Sequence, residues 1–175
     1  VYPVSQTGST GMAFEAGASG KNLTEWQFGM ASLNPRWNVS GTYMQVLPSF
    51  ISTDQDGNDE KEFLLDYFNE LPDLLSMVFL KGYQWPFDVN KIFGGSSVID
   101  LLVYQETVLK KRRVFLDYRV NPGNLEKDRD LPYASMIPEA KEYLSQAGAC
   151  FGTPIERLKH MNEPAILFYQ DHHVD

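Results

Sequence analysis

The residues from Thr7 to Phe28, TGSTGMAFEAGASGKNLTEWQF, hold the densest set of groups suited to binding a cofactor. Gly8, Ser9, Thr10 and Gly11 form a tight turn of small and hydroxyl-bearing residues. The turn opens a short helix in which Met12, Ala13, Ala16 and Gly17 can face a packed neighbour. The first amides of a helix lack partners within it, so such a start suits an anion, a phosphate or the polar edge of a cofactor. Small residues there let the backbone come close. Leu23 to Phe28 then reads as a strand, with Leu23, Glu25 and Gln27 on one face and Thr24, Trp26 and Phe28 on the other.

Other groups with chemical potential fail on spacing. Asp54 to Asp59 is similar to a calcium loop, but Asp59 stands where glycine is needed and Leu65 where the last carboxylate belongs. A turn leading into an acidic helix start fits it better. Gly20-Lys21 is no phosphate loop, since Glu15 holds the first glycine position and Asn22 replaces Ser or Thr. His172 and His173 read as a loop or strand end, where adjacent side chains point apart and no metal site forms. The acids are spread over helix faces and loops, with no apolar setting that would raise one pKa, so no glycosidase pair is identified. Trp26, Trp37 and Trp85 are separated and read as core or pocket walls rather than a nucleic-acid platform. Asn22-Leu23-Thr24 and Asn38-Val39-Ser40 fit the glycosylation pattern without a secreted context around them.

The elements that must position these residues form a mixed pattern without repeats. Thr42 to Ser52 is β-prone and closes in a polar turn at Asp54 to Asn58. A helix is expected from about Asp59, with Phe63, Leu64, Tyr67, Phe68 and Leu71 at helical spacing and Pro72 interrupting it. After the apolar run Leu74 to Leu80, Gly82 to Pro86 reads as a turn. Val98 to Leu109 is a longer amphipathic helix with Ser96 or Ser97 as N-cap, and Arg113 to Val120 the next strand. Pro122 to Pro132 reads as a charged surface loop. Pro138 starts a helix through Ala147 that Gly148 ends, and Thr153, Pro154 and Glu156 open a last short one.

At 175 residues, 43% of them apolar, the chain is long enough for one α+β domain spanning 1–175. No apolar run approaches the ~18 residues of a membrane helix, so no membrane insertion is expected. A net charge of −8 argues against nucleic acid. The basic cluster Lys110 to Arg113 fits a helix end, where cations meet the negative end of the dipole. The single cysteine, Cys150, excludes an internal disulfide and is expected as a buried, inert thiol in a reducing cytoplasm. A first residue other than Met fits a piece excised from a longer chain, as it would a processed protein.

The pattern G-x-A-x-x-A-G-A followed by E-x-Q-F, here Gly11 to Ala18 and Glu25 to Phe28, resembles the flavoprotein subunit of the succinate dehydrogenase and fumarate reductase family. RVFLDY at Arg113 to Tyr118 and AKEYLSQAGACFGTPIE at Ala140 to Glu156 are similar to later segments of that family, in the same order. The resemblance implies an internal fragment spanning the capping domain, with about 1–28 and 140–175 adjoining the FAD domain. It implies FAD in the full-length parent, near Thr7, Gly8, Ser9, Thr10, Gly11, Glu25 and Gln27. The substrate pocket would be lined by Phe28, Gly29, Met30, Ser96 and Ser97.

Departures from the family bear on the substrate. Gly29 stands where the family has a histidine that holds a dicarboxylate, and no arginine lies between Arg36 and Arg112, where a proton-donating one is expected near Gly95 to Ser97. The family's H-Y-x-M-G-G motif is absent and would fall beyond Asp175 in the parent. A small-molecule substrate other than fumarate is therefore expected. The G-x-G-x-x-G dinucleotide fingerprint is absent too, so the isolated chain is not expected to bind FAD or to be active; its partner would be the FAD-binding remainder of the parent. The alternative is a non-catalytic mixed α/β interaction module.

Overall fold

The computed structural model describes residues 8–21, 29–84, 86–123 and 131–174. Gly8 takes a left-handed conformation (φ 87°) at the head of α1 (Ser9–Glu15), as a turn of small residues allows. β1 (Ala31–Leu33) and β2 (Arg36–Asn38) follow as an antiparallel hairpin, closed through a cis Asn34–Pro35 bond.

Thr42 to Ser52 is not one strand. α2 (Thr42–Gln45) comes first, and β3 (Ser49–Thr53) begins only after Leu47, whose φ of 57° redirects the chain. Pro48 accounts for the end of α2, because the residue before a proline is disfavoured in the right-handed helical region. The polar turn after β3 forms as expected: Asp54 Oδ1 accepts from the amides of Asp56 and Asn58 at 3.0 and 2.7 Å. It leads to β4 (Lys61–Glu62), antiparallel to β3.

The helix expected from Asp59 is also corrected. Phe63–Asp66 is a short 3-10 turn, and α3 (Leu71–Tyr83) starts afresh with Pro72 in its first turn. A proline there loses nothing, since that amide has no helical partner. Gly82 likewise belongs to α3 rather than to a turn. A Cβ on it would stand 2.5 Å from the Gly41 carbonyl oxygen, so glycine is what lets α2 pack against α3.

α4 (Ser97–Tyr104) runs on into a π turn at Gln105–Leu109. β5 (Arg113–Asp117) then lies antiparallel beside β3, giving a sheet of order β4-β3-β5 with Phe50 opposite Leu116 and Ser52 opposite Val114. The rest is helical: α5 (Pro138–Gln146), α6 (Pro154–Met161) and α7 (Glu163–Asp171), each with proline in its first turn. The expected capping box holds, with the Thr153 amide donating to Glu156 Oε2 at 2.9 Å. α7 extends what was expected as one last helix. His172 and His173 form the turn that ends α7, within the expected loop reading, and His172 Nδ1 stands 2.8 Å from the Phe168 carbonyl oxygen.

These elements share one core running from Val39 to Ala165, so the described fold is α+β. Leu75, Val78 and Phe79 of α3 share this core with Phe50 of β3, Leu144 of α5 and Leu158 of α6, all fully buried. Each such side chain contributes roughly 1.5–3 kcal/mol by leaving water. The hairpin is tied on through Trp37, whose Nε1 donates to Tyr43 Oη at 2.7 Å and whose ring lies 4.1 Å from that of Phe168. Arg157 of α6 is fully buried and donates to the carbonyl oxygens of Val46, Phe151 and Gly152 and to Asn121 Oδ1. No helix among the described residues is long and apolar enough to cross a membrane.

Candidate functional site

α3 delivers Lys81 to the interior because its buried positions Leu74 and Val78 recur at helical spacing and Lys81 continues them. α4 delivers Asp100 from the other side, and Lys81 Nζ stands 2.5 Å from Asp100 Oδ2. The lysine side chain is only 2% exposed, the aspartate 16%. Burial raises the Asp100 carboxyl above its ordinary value, and the hydrogen bond and charge of Lys81 pull against that rise without cancelling it. A buried pair of this kind is neutral in sum. It offers no net positive charge to a carboxylate substrate.

This pair joins two parts of the expected substrate pocket. Met30, half-buried, lines a hollow with Val39, Ser40, Met44 and Lys81 that is too tight to admit water. Gly29 adjoins it and is exposed. Ser96 lies one helical turn before Asp100 on the same face of α4. Its hydroxyl is fully buried and has no hydrogen-bond partner, and it occupies the N-cap position without capping the helix. Ser97 Oγ accepts from the Asp88 amide at 3.0 Å. Asp88 in turn lines an open depression of about 470 Å³ with Pro86, Phe87, Val89 and Lys91. Lys81 and Asp100 thus lie between the wall containing Met30 and the start of α4.

Of the expected cofactor set, the described residues include Gly8, Ser9, Thr10 and Gly11. Gly8, Ser9, Thr10 and Gly11 are exposed on or beside α1, which buries no residue and leaves Met12 69% and Phe14 43% exposed. Thr7, Glu25, Gln27 and the pocket residue Phe28 lie outside the described residues. A Cβ at Gly8 or Gly11 would meet only open space, so a cofactor edge has room to approach.

Two expectations about single residues are corrected. The acids do include carboxyls in apolar settings: Asp100, and Glu62, whose pKa burial raises against the opposing hydrogen bond from the Gly123 amide. The available signal was one acid inside the apolar run Val98-Ile99-Asp100-Leu101-Leu102, and one lysine closing Leu74 to Leu80. Cys150 is exposed, because the chain turns Ala149 inward instead. Its thiol is still held above the usual range by partial desolvation.

A second polar cluster is structural. Ser52 Oγ donates to Glu106 Oε2 at 2.9 Å and accepts from Arg112 Nε at 3.0 Å, while Lys110 Nζ holds the other oxygen of Glu106. Ser52 is fully buried with its hydroxyl engaged on both sides, so it has no path to a substrate. Among the described residues no three His, Cys, Asp or Glu are grouped to hold a metal ion. No family model matches the chain, and no curated protein or solved structure is significantly similar to it.

Proposed function

We propose that this chain is the capping, substrate-facing segment of a larger cytoplasmic FAD-dependent oxidoreductase of the succinate dehydrogenase and fumarate reductase flavoprotein type, acting on a substrate other than fumarate. The observation that carries this is α1. A helix bearing Met12 and Phe14 that buries nothing in its own unit calls for a second body to pack against. In this proposal that body is the FAD-binding remainder of the parent, and the small residues Gly8 to Gly11 face the flavin, with Thr7, Glu25 and Gln27 nearby. Residues 140–175 lead back toward the same domain.

On the substrate side stand Gly29, Met30, Ser96 and Ser97, with Phe28. FAD, when bound, supplies the hydride chemistry. The residues of this chain shape the pocket, exclude water and close over the reacting centre. The neutral Lys81–Asp100 pair and the lack of arginine between Arg36 and Arg112 favour a substrate less acidic than a dicarboxylate.

Two preparations test the proposal: the protein from the full reading frame around this segment, and the 175-residue chain alone. The longer protein is expected to carry flavin absorbance, and the chain alone to bind FAD no tighter than micromolar in a fluorescence titration. A longer protein without flavin after FAD supplementation would favour the non-catalytic interaction module. Fumarate turnover with reduced viologen above about 10 per second, the usual enzyme median, would overturn the substrate assignment.

A further inference from the structure

Asp56-Gly57 is the one place in the chain where glycine follows an aspartate or an asparagine. It lies in the turn between β3 and β4, where residues 55–60 are all exposed. The neighbouring acids are engaged: Asp54 Oδ1 holds the amides of Asp56 and Asn58, and Asp59 Oδ2 stands 2.7 Å from Arg112 Nη1. The Asp56 carboxyl makes no hydrogen bond or ion pair among the described residues. Gly57, with a φ of 88°, donates its amide to the Asp54 carbonyl oxygen at 3.3 Å, beyond the usual range of such bonds. A Cβ on Gly57 would meet only open space, so no other part of the described chain crowds that residue.

We propose that Asp56 is a site of self-modification, converting to isoaspartate through a succinimide formed with Gly57, and that the product loosens the turn's hold on Arg112. The Gly57 nitrogen attacks Asp56 Cγ. The new N–C bond closes the ring, and a carboxyl oxygen leaves as water with the amide proton and the proton of the carboxyl group. Water then adds at either carbonyl of the ring. Opening at Cγ restores aspartate, whereas opening at the backbone carbonyl routes the chain through Cβ and Cγ. No oxidant or further reagent is consumed. Closure needs rotation about the Cα–C bond of Asp56, and a following glycine tolerates that change and carries no Cβ to block the approach.

The consequence follows from the anchors on either side of the site. Gln55 Nε2 donates to the Lys111 carbonyl oxygen, and the carboxylate and carbonyl oxygens of Asp59 both accept from Arg112. Arg112 Nε in turn donates to Ser52 Oγ at 3.0 Å. An added backbone methylene between Gln55 and Asp59 changes the span between anchors that are tied to adjacent residues, so both cannot keep their partners. Exposed turns tolerate such a change without loss of the fold. The site is independent of the flavin proposal, because every residue in it belongs to the described unit.

The 175-residue chain, kept folded at neutral pH and physiological temperature, is expected to accumulate isoaspartate at residue 56. Labelling by an isoaspartyl methyltransferase and peptide mapping with electron-transfer dissociation would read it. Asp56→Glu should lose the label, because its ring would be one atom larger and closes far more slowly. Gly57→Asn should lose most of it, since asparagine accepts the left-handed conformation but sets a Cβ beside the attacking nitrogen. The aged chain should unfold at a lower urea midpoint than the fresh one, while Asp56→Glu keeps its midpoint on ageing. A folded chain that gains no isoaspartate at residue 56, or gains more at another aspartate, overturns the proposal. An aged chain rich in isoaspartate at residue 56 with an unchanged midpoint overturns the loosened hold on Arg112.

Discussion

Arg157 illustrates how one side chain can organise residues far apart in the chain. Its guanidinium is fully buried and reaches Val46 O at 3.0 Å, Phe151 O at 3.0 Å, Gly152 O at 2.6 Å and Asn121 Oδ1 at 3.0 Å. Tyr133 adds a side-chain hydrogen bond. The Val46 carbonyl lies directly before Leu47, whose left-handed backbone costs roughly 1–2 kcal/mol, so Arg157 steadies a strained turn. Lysine carries the same charge on a single nitrogen and cannot hold four acceptors spread around a planar fork. Arg157→Lys is therefore expected to cost about 3 kcal/mol, the scale of breaking a buried charged contact. Urea unfolding would show it as a lower midpoint at unchanged slope. Nothing in the local sequence marked this residue, because its role comes from distant carbonyls.

Elements whose signals are local were legible, and those settled by distant packing were not. The Asp54 turn, the Pro138 helix and the Thr153–Glu156 capping box each carry their own hydrogen-bond logic within a few residues. Pro72 begins α3 rather than interrupting a helix, because a proline can end one element or begin the next and the apolar pattern around it does not decide between them. The π turn was invisible for a related reason: Gln105 to Leu109 keeps ordinary helical composition, and its wider winding becomes evident only in the fold, where Glu106 faces Ser52. Burial pushes the Glu106 carboxyl up, but hydrogen bonds from Lys110 and Ser52 and the charge of Lys110 outweigh it and hold the group below its usual range. A carboxyl lowered on folding contributes stability that is present above its unfolded value, ~4.3, and is lost as pH falls through its folded one. Glu106→Gln should thus lower stability at neutral pH by about 2 kcal/mol and flatten the acid limb of the stability profile. Urea midpoints measured from neutral to acidic pH would check both, and an unchanged acid limb would remove Glu106 as its source.

Across the whole molecule, one core spans Val39 to Ala165 while α1 stands outside it. The small residues of the Gly8 turn read as room for close approach, and the fold leaves that turn and α1 exposed. If α1 packs on nothing here, then Met12→Ser with Phe14→Ser should alter the unfolding free energy of the 175-residue chain by less than ~0.5 kcal/mol, the range of inconsequential surface changes. A larger loss in chemical denaturation would place α1 on this core. The reach of Arg157 also bears on the order in which the chain assembles. Its partner carbonyl at Val46 lies 111 positions away in the chain, and its partner amide at Asn121 lies 36 away. Closing such long loops is slow and brings its reward late. Until α2, the segment around Asn121 and α6 have all arrived, the guanidinium must either stay in water or be buried with donors unmet, and the second is strongly disfavoured. The last of these segments to dock therefore releases a group that holds the others back, and half-assembled states gain little from the pieces they already contain. The chain is accordingly expected to fold as one cooperative unit, with its amino-terminal and carboxyl-terminal portions locking together in the same late event.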